Sequence, residues 1–68
     1  MLANKIILQM KYARVVRLFA DKVKIAYEDA LGFFYDSKTY MLISKGIADM
    51  HCRSDEYLAD ELAMEYKQ

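Results

Sequence analysis

The sequence predicts an all-α fold: a small three- to four-helix bundle with a long first helix, short middle helices and a C-terminal helix. Three observations predict it. The 68 residues contain no proline and only two glycines, Gly32 and Gly46, so few positions break a helix. Apolar residues recur at three- and four-residue spacing rather than alternating. Helix start and stop residues, Ser37, Gly46 and Ser54, punctuate the apolar runs.

The first helix is expected over 3–22. At 100° per residue, Leu8, Tyr12, Val15, Val16 and Phe19 share one face. Lys11, Arg14, Asp21 and Lys22 are assigned to the opposite side. Ile6, Met10 and Ala13 fit neither group and form a second apolar strip along one flank. That strip either covers another helix of the same chain or meets a partner protein or a second copy.

A second helix is expected over about 26–36. Glu28 and Asp29 fall in its first turn, where acids complement the positive end of the helix dipole. Ala30, Leu31, Phe33, Phe34 and Tyr35 supply its bulk. Gly32 in mid-helix costs about 1 kcal/mol relative to alanine, and close approach of another helix is the expected compensation. Ser37 is placed to cap a short third helix over 38–45, and Gly46 to end it in a left-handed conformation. Tyr40, Met41, Leu42 and Ile43 are too apolar for an exposed loop; a strand over 39–43 is the alternative to a buried helix. Residues 47–53 form a turn region anchored by Ile47 and Met50. The last helix spans about 55–66, with Leu58, Leu62 and Tyr66 on one face, Ala59 and Ala63 beside them, and Asp60, Glu61 and Glu65 towards the other side.

Length and composition narrow the function classes. One domain over 1–68 is expected. A chain of this size buries only roughly 60% of the surface its unfolded form exposes. A single Cys forms no internal disulfide, and one His with one Cys cannot complete a four-ligand zinc site. Yet 56% of the residues are hydrophobic, with six Tyr, three Phe and five Met. Either a dense helical core or a second chain is needed to cover that surface. The apolar run from Ile6 to Leu8 is broken at once by Gln9 and Lys11, unlike a secretion signal. No run approaches the roughly 20 apolar residues of a membrane span. With its lone Cys, the chain is expected in the cytoplasm and off the membrane.

The net charge is zero but unevenly spread. Residues 1–24 carry six bases against Asp21 alone, a net +5, and residues 25–68 carry four bases and nine acids, a net −5. Two readings follow: solvated faces that attract each other across the bundle, or a dipolar surface that steers a charged partner.

The stretch "MHCRSDEYLADEL", residues 50–62, gathers the only His, the only Cys and an Arg before a run of acids. Ser54 before Asp55 and Glu56 is a helix start: the hydroxyl accepts a backbone N–H and the acids complement the dipole. Its replacement by alanine is expected to cost about 1 kcal/mol. His51 and Cys52 are adjacent, and neighbours on an extended segment point apart, so they neither share a metal nor pair as nucleophile and base. His51 is expected to fix the turn by hydrogen bonds, and Cys52 to pack as a small apolar residue. The acids at 49, 55, 56, 60, 61 and 65 lack the spacing of a calcium loop. No phosphate-cradling glycine loop, nucleophile elbow or walled carboxylate pair is present. The expectation is a non-enzyme without cofactor or metal.

Two motifs carry a resemblance. Ala30, Leu31, Phe34, Tyr35, Ser37, Thr39, Tyr40, Leu42 and Ile43 spell ALxxFYxSxTYxLI; His51, Ser54, Tyr57, Leu58 and Glu61 spell HxxSxxYLxxE. Over 26–62 the chain resembles a family of small bacterial helical proteins catalogued as a domain of unknown function. The first helix is similar only in being apolar and amphipathic. Genes of that family often lie beside genes for ADP-ribosyltransferase-like proteins. The resemblance implies an antitoxin-like or accessory partner of a neighbouring enzyme and carries over no catalytic residue.

The leading expectation is a protein–protein interaction module, with Ile6, Met10 and Ala13 as the partner-binding strip. The alternative is a small nucleic-acid-binding protein using the basic surface of Lys11, Arg14, Arg17 and Lys22. Against it stand the neutral net charge and the lack of a helix-turn-helix with a polar recognition helix.

Overall fold

The computed structural model describes residues 5–46 and 53–68, with side chains described from Gln9 onward in the first stretch. Four helices are described: α1 (Lys5–Val23), α2 (Tyr27–Asp36), α3 (Lys38–Ser44) and α4 (Asp55–Tyr66). The segment 39–43 is helical, so the strand alternative is set aside. The turn anchors Ile47 and Met50, and also His51 and Cys52, lie outside the described residues.

Local chemistry sets the ends of each helix. Val23 closes α1, because Lys24 turns into the left-handed region with φ +60°. The Ile25 N–H then donates to the Ala20 carbonyl at 3.1 Å, which is the wide loop of a Schellman turn. Ile25 packs against the core just beyond it. Ser37 serves two helices at once. Its N–H and its hydroxyl both donate to the Phe34 carbonyl, at 3.1 and 2.6 Å, and its Oγ accepts the Tyr40 N–H at 3.0 Å. Gly46 has φ +66° and donates to the Ile43 carbonyl at 3.0 Å, ending α3. Ser54 Oγ accepts the Tyr57 N–H at 3.1 Å and starts α4.

α1 lies against α4 and α2, and α3 bridges α2 and α4. The buried core draws on all four helices: Val15, Val16, Phe19 and Ala20; Ala30 and Phe34; Ile43; Leu58, Ala59 and Leu62. Burying one such large side chain stabilises by about 1.5–3 kcal/mol, so α4 depends on Leu58 and Leu62 more than on its polar face. Aromatic rings extend the core outward. Phe34 meets Tyr12, Tyr35 and Tyr40 at centroid distances of 5.3, 5.3 and 5.1 Å. Phe19, Phe33 and Tyr66 form a second trio at 5.5, 5.6 and 5.2 Å. Such tilted and edge-on pairs add about 0.5–1.5 kcal/mol each. Burial, then the neighbouring Tyr40 and Tyr35, pushes the Tyr12 phenol above its ordinary value.

Three expectations are corrected. Lys11 and Lys22 do not lie opposite the core of α1. They border it and reach across to α4, because their helical angles fall beside the Val15–Phe19 stripe. Among the described residues, nothing beyond the chain neighbours and backbone of α2 itself lies within 4 Å of the position a Gly32 Cβ would take, so no other described helix approaches there. Glu65 does not point away from the bundle: its carboxylate accepts from the α3 backbone.

Candidate interaction surface

Two surface features of α1 bear on function, and they adjoin at Arg14 and Asp55. Side chains bordering the core meet α4. Side chains on the outer flank meet nothing in the described chain that buries them.

On the core border, Lys11 Nζ donates to Asp55 Oδ1 at 3.0 Å, and Arg14 Nε to Asp55 Oδ2 at 2.7 Å. Lys22 Nζ reaches Glu56 Oε2 at 2.5 Å and Asp60 Oδ1 at 3.0 Å. Of these acids, Asp55 and Glu56 lie in the first turn of α4, where they also face the positive end of that helix. Arg14, and to a lesser degree Lys11, holds the Asp55 carboxyl below the ordinary carboxylate range, against an opposing push from partial burial. Glu56 and then Asp60 hold the Lys22 ammonium above its ordinary value. The opposed +5 and −5 segments therefore meet within the molecule. Of the four expected basic-surface residues, Arg17 alone makes no ion pair among the described residues. Its guanidinium lies 5.8 Å over the Tyr27 ring, a cation–π contact.

On the outer flank, Met10 is 56% exposed and Ala13 is exposed beside it. The side chain of Ile6, the third member of the expected strip, lies outside those described. Next to Ala13, a shallow hollow of about 330 Å³ opens between Arg14 and Arg17, with Leu18 and Asp55 completing its wall. An open groove of about 280 Å³ lies between α3 and α4, where Leu42 and Met64 meet Lys38, Glu61 and Glu65. Met64 is 60% exposed.

Sequence reasoning missed Glu65. Its carboxylate accepts from the Lys38 N–H at 2.6 Å, the Thr39 N–H at 3.3 Å and the Thr39 hydroxyl at 3.0 Å. The available signal was the lack of any acid in the first turn of α3, which leaves its N–H groups to a carboxylate from elsewhere. Ser54 stands where it was expected, as the cap of α4. Among the described residues no three His, Cys, Asp or Glu side chains gather closely enough to hold a metal ion, and no helix is long and apolar enough to cross a membrane.

Comparison with known proteins finds no matching family model, no matching curated protein and no matching solved structure.

Proposed function

We propose that this protein is a non-enzymatic protein–protein interaction module that docks through the outer flank of α1. The observation that carries the reading is Met10, more than half exposed beside exposed Ala13 and an apolar-floored hollow. A methionine ridge next to a hollow suits a partner's side chains, because the unbranched thioether adapts to irregular surfaces. The motif resemblance over 26–62 extends the proposal to an antitoxin-like or accessory partner of a neighbouring enzyme, working in the cytoplasm.

The alternative, nucleic-acid binding along α1, is weakened by the ion pairs. Lys11, Arg14 and Lys22 would have to leave Asp55, Glu56 and Asp60 before meeting phosphates. A titration with duplex DNA at low salt is expected to show no binding. Binding that falls steeply with salt would favour that alternative instead.

The docking reading is tested by capture from an extract of the native host with tagged wild type and tagged Met10→Glu. Wild type is expected to retain a defined protein that the variant loses. Equal retention by both would remove the α1 flank from the interface.

A further inference from the structure

We propose that the α1 flank carries a hydroperoxide-sensitive switch: oxidation of the Met10 thioether to its sulfoxide turns docking off while the fold stays intact. This rests on the docking reading above and adds how that same surface is regulated.

Methionine ranks among the residue types most often buried in globular proteins. Here the buried core is built from Val, Phe, Ala, Ile and Leu alone. The methionines whose side chains are described, Met10 on α1, Met41 on α3 and Met64 on α4, are 56%, 43% and 60% exposed. Among the described residues, then, thioether sulfur is kept out of the interior and left within reach of solutes. Oxygen added to a core thioether would break the packing around it. Oxygen added to these three meets water, so the ten core residues keep their contacts. Fold and surface therefore respond differently to one reaction.

The reaction needs only a hydroperoxide as oxidant. A lone pair on the sulfur attacks the terminal peroxide oxygen. The S–O bond forms as the O–O bond breaks, and the peroxide proton moves to the departing oxygen. Sulfur loses two electrons; the hydroperoxide is reduced to an alcohol, or to water where hydrogen peroxide is the oxidant. The flexible apolar side chain becomes a polar one with a strong hydrogen-bond acceptor. Burying that acceptor against an apolar partner surface carries a desolvation cost that the thioether does not. Methionine sulfoxide reductases return the thioether, so the change is reversible.

The test treats the folded protein with hydrogen peroxide and follows three readouts: peptide mapping by mass spectrometry, circular dichroism, and capture from an extract of the native host. Dithiothreitol afterwards reverses disulfide and sulfenate formation at Cys52, so thioether oxidation is what persists. Met10 should convert while helicity is retained. Retention of the captured protein should fall about tenfold or more as Met10 sulfoxide accumulates, the scale of losing a central apolar contact. Sulfoxide reductase should restore it. Met10→Gln, a polar stand-in for the sulfoxide, should capture poorly without any peroxide and gain nothing from the reductase. Met41→Leu/Met64→Leu should capture as wild type does and remain peroxide-sensitive, because Met10 is still present. Full capture by protein whose Met10 is completely oxidised overturns the switch and leaves the docking reading standing. Peroxide resistance in the double variant also overturns it, as does helicity lost before Met10 converts. Untreated wild type that retains no protein removes the docking reading, and the switch falls with it.

Discussion

Gly32 is the residue whose presence the fold does least to explain. It sits in the middle of α2, exposed, with nothing among the described residues where a Cβ would go beyond its own helix backbone and chain neighbours. A glycine there leaves the unfolded chain more freedom and gives up intrinsic helix propensity. Gly32→Ala is therefore expected to stabilise the protein by about 1 kcal/mol. For a domain of this size that raises the thermal midpoint by about 4–8 °C. Thermal denaturation followed by circular dichroism checks it; a lowered midpoint would mean that something outside the described chain occupies that space. Glu65 is the opposite case, a side chain with more local work than its position suggests. Glu65→Ala leaves the first N–H groups of α3 to water. The loss of such a cap costs about 0.5–2 kcal/mol. Amide exchange at Lys38 and Thr39 is expected to quicken in the variant, and unchanged protection would show that another group caps α3.

At the level of the helices, the contact between α1 and α4 has an apolar interior and a charged border. Val15, Val16 and Phe19 of α1 and Leu58 and Leu62 of α4 are buried in the shared core, and burial of this kind dominates the attraction between the helices. The border adds less, because partly exposed ion pairs such as Arg14–Asp55 are worth about 0–1 kcal/mol each. Its signature is pH dependence. The folded Asp55 carboxyl lies below its ordinary value of 3.8, so the folded state binds its proton less readily than the unfolded state. Its contribution is complete above the ordinary value and fades as pH falls through the depressed folded one. Lys22 behaves inversely: it is raised above its ordinary 10.5, so its contribution holds below that value and is lost only as pH rises through the folded one. Asp55→Asn is expected to destabilise at neutral pH and to flatten the acid limb of a stability–pH profile. A variant with the wild-type acid limb would assign that limb to another carboxylate.

Helix boundaries were legible because their causes are local. Ser37, Gly46 and Ser54 act on the backbone within three residues of themselves, and the spacing of Val15, Val16, Phe19, Leu58 and Leu62 states which face turns inward. The left-handed Lys24 gave no such signal, since lysine rarely adopts that conformation and marks no turn. Contacts between distant segments were legible only in aggregate. The +5 and −5 halves foretold an attraction, but not that Asp55 would take two partners. Nor could the residues show that no other described helix approaches Gly32 or that Glu65 reaches α3, because both depend on the angle at which helices cross.

In the molecule as a whole, charge and apolar surface are distributed differently. Charge along the α1–α4 border is satisfied internally, with three of the four expected basic residues on α1 bound to acids of α4. Apolar surface is not: Met10, Met41, Met64, Tyr35 and Tyr57 are all more than 40% exposed. A chain of 68 residues has too few internal positions to enclose them, and such surface is what partners cover. The docking proposal requires that the α1 flank be dispensable for folding. Urea unfolding of Met10→Glu beside wild type, at a dilution where both are monomeric, measures that requirement. The expected result is the same slope and a stability within about 0.5 kcal/mol, as for a surface substitution. A loss of about 2 kcal/mol or more, the range of a truncated core methionine, would mean that the chain buries this flank itself, and would contradict the proposal.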